Sequence, residues 1–288
     1  EVVDADSEKV ELLVAPVSEQ GDAPVWAGEL PPVPADIARE AGALRILVAR
    51  SHGWSTGLED SAADESQGAT VGLDPWLTGD AVTHDLDDYP LSSPSLARLA
   101  ESVAEHIEAS GCLPHARLLT LEQRRDAIVL NSTHGSRINE TLAHFLQAMA
   151  SNIEGRVGRV LVDPYRITLQ VPGLTPAGVV EWLTETPPEA LDDLVRLSIP
   201  NSRQLRARLV QVCKVFGVLH AGVDPRKVNL GVILTRYRGT PLVDEALDKL
   251  FSERMDIDGT TDLLRAIQAG AVELRMTAPG ALGISPRG

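Results

Sequence analysis

A serine and a histidine close together can serve as a nucleophile and its general base, and Ser132 and His134 have such a spacing. No acid lies nearby in a nucleophile-elbow sequence, so hydrolysis is not indicated and no catalytic residue is assigned. We interpret His134, His144 and His220 as capping or packing residues. The aspartate-rich segment 80–88 fits no calcium-loop spacing, so no metal site is expected.

Nucleotide-binding motifs are also missing from this sequence. It has neither a Gly-x-x-x-x-Gly-Lys-Ser/Thr phosphate loop nor a glycine-rich dinucleotide turn, so we expect no cofactor in the chain itself. Cys112 and Cys213 form no Cys-x-x-Cys motif, which favours a reduced, cytoplasmic protein. No apolar run approaches the roughly 18 residues that span a bilayer, and no secretory leader is evident, so no membrane contact is expected.

Charge is distributed unevenly along the 288 residues, whose formal net charge is -15. Residues 1–100 carry -14 and residues 101–288 carry only -1. Residues 201–240 contain eight arginines and lysines against the single acid Asp224, which gives a local charge of +7. Such a window can hold a polyanion, because phosphate contacts act within a Debye length of about 8–10 Å. The alternative is that these side chains are only the solvated faces of two helices.

Within this window, Arg203, Arg206 and Lys214 fall on one face of a helix that begins near Asn201, at offsets of three and eight residues. The adjoining face is apolar and consists of Leu205, Leu209, Val212 and Phe216. Trp26 lies elsewhere, in a proline-rich extended segment. A tryptophan so placed is either a core residue or a platform on which a nucleobase stacks.

The elements that must position these groups centre on residues 125–170. Ala127–Leu130 is an apolar run of strand length, and an amphipathic helix follows with Ser136 as its N-cap. Two alternating segments joined by Asp163-Pro164 then predict a hairpin. A strand, a helix and a hairpin bury their apolar faces only against other elements, which predicts an α+β domain.

Further elements are predicted on both sides of this centre. Strands lie within residues 2–17, and a short helix from Pro34 has Ile37 on one face and Arg39 and Arg45 on the other. An acidic, mobile loop is expected over residues 51–75. The other expected elements are a helix from Ser93 to Gly111, a strand over Leu118–Leu121, helices from Pro176 and Pro188, helices over 201–218, 224–238, 241–254 and 260–269, and a strand over Glu273–Met276.

Three segments of the sequence, taken in this order, resemble the large helicase-related (Lhr) family of superfamily 2 helicases, and its archaeal-type members most. They read APVWAGELPPVPADIAREAGALR, then IVLNSTHGSRINETLAHFLQAM with VDPYRITL behind it, then LVDEALDKLFSERMDIDGTTDLLRAIQAGAVEL followed by ISP. The resemblance covers nearly the whole chain. It implies the region C-terminal to two RecA-like motor domains and a winged helix, so we expect the chain to be a piece of a longer protein. The acidic insert and the missing motor depart from the family pattern.

The resemblance, together with the acidic composition of the insert, predicts a division of this α+β chain. A partial β-barrel module with an exit helix would occupy residues 1–50, and the acidic insert residues 51–90. A central mixed strand and helix unit would occupy residues 91–173, and a C-terminal helical module residues 174–288.

The implied function is a non-catalytic grip on the 3′ tracking strand while the motor domains, which would hold ATP and Mg, unwind DNA or RNA:DNA duplexes. The implied partners are single-stranded DNA or an RNA:DNA duplex and the RecA-like motor and winged-helix domains. The alternative is a scaffold that docks the motor or a partner protein without touching nucleic acid. The candidate nucleic-acid-binding residues are Trp26, Arg137, Arg203, Arg206, Lys214, Arg226, Lys227 and Arg236.

Overall fold

The computed structural model describes residues 2–6, 11–14, 31–57, 74–78, 84–199, 203–220, 222–223 and 228–278. Trp26, Arg226 and Lys227, the acidic loop from residue 58 to residue 73, and the C-terminal tail lie outside the described residues. The chain divides into two compact units. One consists of residues 1–31 and 206–246, and the other of residues 32–205 and 247–288.

The strands of the described residues are β1 (Val2–Asp6), β2 (Glu11–Val14), β3 (Leu118–Gln123), β4 (Ile128–Asn131), β5 (Arg159–Asp163), β6 (Arg166–Gln170) and β7 (Glu273–Thr277). The helices are α1 (Ala35–Ser51), α2 (Pro75–Thr78), α3 (Ser93–Ser110), α4 (Gly135–Ala148), α5 (Pro176–Glu185), α6 (Leu191–Ser198), α7 (Arg203–Val215), α8 (Leu230–Arg236), α9 (Pro241–Arg254) and α10 (Ile257–Gln268). The α+β class predicted from the sequence is confirmed.

Two separate sheets contain these strands. β1 and β2 form an antiparallel pair, and the second sheet has the order β5-β6-β4-β3-β7. β7 runs parallel to β3, whereas the other neighbours in that sheet are antiparallel. The five-stranded sheet is open, since β5 and β7 lie at its two edges without pairing to each other. The β-barrel implied by the family resemblance is therefore not supported.

One face of the five-stranded sheet is apolar. Residues of the central strands alternate in and out, so that Leu119, Leu121, Ile128, Leu130 and Ile167 share this face and are almost completely buried. α4 packs against β5 and β6, α5 packs against β3, and α10 packs against both helices. The strand, helix and hairpin predicted around residues 125–170 thus form the centre of the second unit.

The opposite face of the same sheet carries polar side chains. Thr120 on β3, Asn131 on β4 and Arg275 on β7 are register partners in one row across the sheet. Asn131 donates its amide to Thr120 Oγ1 at 3.0 Å and to the buried Glu122 Oε1 at 2.8 Å. Glu122 also pairs with Arg124 at 2.8 Å. Buried polar groups without hydrogen-bond partners would destabilise the fold, and these bonds supply such partners.

The helix after Pro34 differs from its prediction. α1 has 17 residues, and it is the arginine side that is buried: Arg39 is 3% exposed and Arg45 is 6% exposed, whereas Ile37 is 57% exposed. Ile46 and Val48 of this helix pack against α3 in one apolar cluster. The burial of these arginines was not predicted. Arg39 finds its partners, His134 and Asp74, in other parts of the chain.

Helix ends follow local chemistry in most places. α3 begins after Ser92, whose hydroxyl accepts from Ser95 N, and ends at Gly111 with φ of 78°. α4 begins two residues earlier than predicted, with His134 rather than Ser136 in the N-cap position. Ser136 instead accepts a hydrogen bond from Val33 N at 2.9 Å. Along the described ranges, no helix is both long and apolar enough to cross a membrane.

Candidate nucleic-acid interface

α7 and α8 carry most of the described residues from the basic window. α7 buries Leu205, Leu209 and Val212, as its periodicity predicts. Arg203 and Arg206 both lie in the helix, but their side chains are outside the described part of the structure. Lys214 in the last turn is partly exposed. The predicted helix is confirmed. The placement of Arg203 and Arg206 on one basic face with Lys214 stays a prediction.

The end of α7 differs from the expected residue 218. The helix stops at Val215 because Gly217 has φ of 70°, a left-handed conformation that favours glycine. Val218 N then donates back to Cys213 O at 2.9 Å, which satisfies a carbonyl of the last turn. As a result Phe216, predicted on the apolar face, is 51% exposed, and Val215 is 77% exposed.

α8 is a short helix with one buried and one open face. Asn229 caps it by accepting a hydrogen bond from Val232 N at 3.3 Å, and Leu230 and Ile233 are buried. The open face lines a shallow depression of about 520 Å³ formed by Asn229, Gly231, Val232, Thr235 and Arg236. Because Gly231 has no side chain, a partner's backbone can approach this face closely.

A cation and an aromatic ring lie together at the end of α8. The guanidinium carbon of Arg236 is 5.8 Å from the centre of the Tyr237 ring. Arg236 and Arg238 are both exposed. The sequence has no acid between residues 203 and 240 except Asp224, which lies outside the described residues. Apart from Asp224, the segment itself therefore offers phosphates cations without an acidic residue close in the sequence.

Arg137 occupies a different setting, in the first turn of α4. Its guanidinium donates to Met255 O through Nε at 2.9 Å and through Nη2 at 2.6 Å. Thr141 of the same helix accepts from Asp256 N at 2.9 Å. Arg137 thereby joins α4 to the corner between α9 and α10. This role was missed, since the two residues are far apart in the sequence.

The loop between β4 and α4 holds a buried polar cluster. Arg39 Nε donates to His134 Nδ1 at 3.1 Å, and Arg39 Nη1 pairs with Asp74 Oδ2 at 2.5 Å. Burial lowers the pKa of His134 well below its ordinary value, and the nearby charges of Arg39 and His115 lower it further. Since Nδ1 accepts this bond, the neutral ring carries its proton on Nε2. This histidine is a packing residue, as expected.

Ser132 is not positioned as a nucleophile. Its hydroxyl donates to Asn139 Oδ1 at 2.8 Å, and Asn139 in turn donates to Ser132 O and Asp163 O. His144 is likewise buried and bonds Ser198 Oγ at 2.8 Å, and burial lowers its pKa to about 4. Within the described ranges, no group of three or more His, Cys, Asp or Glu side chains is placed to hold a metal ion.

The comparison with known families decides what kind of chain this is. The DEAD/H associated family matches residues 113–283, which is more than half of the chain. The chain belongs to the DEAD/H associated family. Its family region contains the five-stranded sheet and α4 to α10, with both α7 and α8.

One solved structure is similar to this DEAD/H associated chain. It is the Mycobacterium smegmatis helicase Lhr bound to single-stranded DNA and AMP-PNP, with a TM-score of 0.64 and 16% sequence identity. The likeness covers 92% of this chain and 32% of the helicase, so the chain spans about a third of that protein. No curated protein matches the chain. The resemblance to Lhr-type helicases is confirmed by the family match together with this common fold.

Proposed function

We propose that this chain is the part of an Lhr-type helicase that grips the tracking single strand during 3′–5′ unwinding and that it catalyses no reaction itself. The observation that carries the proposal is the fold shared over 92% of the chain with a helicase bound to single-stranded DNA. Membership of the DEAD/H associated family supports a role beside a helicase motor.

The surface of α7 and α8 is the proposed grip. Lys214 and Arg236 offer charges to phosphates, while the Arg236 and Tyr237 pair offers a flat group against which a base can stack. Phosphate contacts carry no base information, so we expect binding without sequence preference. The sequence alone adds Arg203, Arg206, Arg226 and Lys227 to the proposed phosphate contacts.

The motor belongs to other domains in this proposal. RecA-like domains would bind ATP and Mg and move the strand, and a winged-helix domain would be the second neighbour. Single-stranded DNA and RNA:DNA duplexes are the proposed substrates of the complete enzyme. Arg137, which the chain already uses to bind Met255 O, would reach a phosphate only with its remaining N–H groups.

The test uses the salt dependence of binding to a labelled oligonucleotide, measured by fluorescence anisotropy. The double variant Lys214→Gln/Arg236→Gln removes two charges. Since each neutralised phosphate on a single strand contributes about 0.7 to the slope of log affinity against log salt, the slope should fall by about 1.4. The control Arg98→Gln/Arg125→Gln removes two exposed charges from the other unit and should leave the slope unchanged.

Trp26 provides a second, independent test of the grip. The residue lies outside the described ranges, so its stacking role rests on the sequence alone. Trp26→Ala should weaken binding to a single strand by about 1–3 kcal/mol and leave the unfolding transition unchanged. A large drop in the melting temperature with unaltered affinity would make Trp26 a core residue instead.

A docking scaffold is the second candidate function. The observation that favours it is the exposure of Val215 (77%), Phe216 (51%) and Val232 (58%) in the same unit as the cations. Exposed apolar side chains of this size are typical of protein contacts when they are contiguous. An unchanged salt slope in the folded Lys214→Gln/Arg236→Gln variant would favour this function over the grip.

A further inference from the structure

β5 is an edge strand whose outer side is open in the described part of the chain, because it pairs only with β6. Its hairpin closes with the pair Asp163 and Arg166 around the two-residue turn Pro164-Tyr165. A closing pair around a two-residue turn exchanges both main-chain hydrogen bonds. By alternation, the N–H and C=O groups of Val160 and Val162 point away from the sheet.

The same alternation follows independently from the other end of the sheet. Arg124 N donates to Ala127 O at 2.8 Å, which makes these two residues a bonded pair at the β3–β4 turn. Bonded and non-bonded pairs alternate from β3 through β4 and β6 to β5. Followed along these registers, the N–H and C=O groups of Val160 and Val162 again point outward. The edge therefore presents four main-chain groups to a further strand.

The side chains on this edge lack the usual protection. Natural edge strands avoid further pairing with lysines, prolines or bulges. β5 has none of these between its ends, and Leu161 at its centre is 40% exposed. Val157, just before the strand, is 86% exposed. The only charges are Arg159 at one end and Asp163 at the other, and they have opposite signs.

We propose that β5 pairs antiparallel with β5 of a second copy of this chain, about a two-fold axis at Leu161. In this register Val160 faces Val162 of the other copy as a bonded pair, twice, so all four outward groups are used. The two Leu161 side chains meet at the axis. Arg159 faces Asp163 of the other copy at both ends, where opposite charges stabilise the pair.

The charges of the strand suit this register. Arg159 is exposed and has no ion pair within the described residues. Asp163 accepts from Arg166 Nε at 2.6 Å and from Tyr165 N at 2.9 Å, and a carboxylate has room for a further donor. A parallel pairing would bring like charges together at each end. A five-residue contact buries less than a standard interface of about 1,200–2,000 Å², so the dimer should be weak and depend on concentration.

The experiment is sedimentation equilibrium of the full 288-residue chain from about 1 µM to about 1 mM, a range that resolves weak dimers. Val160→Pro removes an outward N–H that β6 does not use, so the hairpin is retained while the partner strand is blocked. We expect it to weaken dimerisation at least about tenfold. Circular dichroism checks the fold.

A second variant tests the register without a proline. Arg159→Glu places a carboxylate opposite Asp163 of the other copy and should weaken the dimer several-fold, most strongly at low salt. Arg125→Glu makes the same charge change at an exposed residue away from the edge and should have no effect. A chain that stays monomeric over the whole range, or a dimer that Arg159→Glu does not weaken, would overturn the proposal.

Discussion

Arg39→Met tests the buried polar cluster at the start of α4. The substitution keeps an unbranched side chain of similar length but removes the guanidinium that bonds His134 Nδ1 and pairs with Asp74. Arg39 is 3% exposed, so water cannot replace the lost bonds at its own position. His134 Nδ1 then lies buried without its donor.

The expected loss can be estimated bond by bond. A buried hydrogen bond from a charged donor contributes about 1.5–3 kcal/mol. The pair with Asp74 adds at most about 1 kcal/mol, because that side chain is 35% exposed and partly screened. Arg39 Nη2 is buried with no described partner, and its removal recovers part of the loss. The net destabilisation is about 2–3 kcal/mol, or roughly 4–12 °C in Tm for a unit of this size.

The assay is urea unfolding followed by circular dichroism. Arg98→Met, at an exposed position on α3, is the matched control and should change the free energy of unfolding by less than about 0.5 kcal/mol. The double variant Arg39→Met/His134→Leu should be less destabilised than the sum of its single changes, because both remove the same bond. Equal effects of Arg39→Met and Arg98→Met would refute the reasoning.

Two other features of the second unit predict measurable changes. Gly135→Ala should destabilise the fold by more than about 3 kcal/mol, since the added Cβ would lie 2.8 Å from Val33 O at φ of 80°. Gly111→Ala, whose Cβ meets open space, should destabilise it by only about 1 kcal/mol. Thermal unfolding measures both changes. Burial, with a further contribution from the charge of Arg45, lowers the pKa of His106 to about 4. As the pH falls, the imidazole of the unfolded chain is therefore protonated before that of the folded chain. Stability that is present above pH 6.5 is lost as the pH falls toward 4. His106→Leu should therefore reduce the loss of stability between pH 6.5 and pH 4 in urea titrations, and an unchanged pH dependence would contradict the assignment.

Local sequence patterns predicted the elements well where turn-forming residues mark the ends of strands and helices. Asn131 and Gly135 bracket the loop between β4 and α4, and Asp163-Pro164 forms the hairpin turn, as the sequence indicates. The strand over Glu273–Met276 was also predicted. Its parallel pairing with β3 was not, because that contact joins residues about 150 positions apart and leaves no local pattern.

Side-chain burial was harder to predict where polar partners are distant. The burial of Arg39 on α1 was not predicted, because its partners, Asp74 and His134, lie in other segments. The exposure of Phe216 depends on Gly217 ending α7, a signal that the sequence does contain. Of the candidate interface, the helices α7 and α8, the exposed Arg236 and the partly exposed Lys214 agree with the pattern. The contact with nucleic acid stays a prediction.

Photochemical cross-linking tests the proposed grip most directly. A single strand that carries 5-iodo-deoxyuridine at several positions would be bound to the chain, irradiated and digested, and the linked peptides identified by mass spectrometry. The account predicts links to aromatic residues of the grip, Trp26 or Tyr237, that are lost at high salt. Links confined to the second unit, or none at concentrations where the strand is bound, would contradict it.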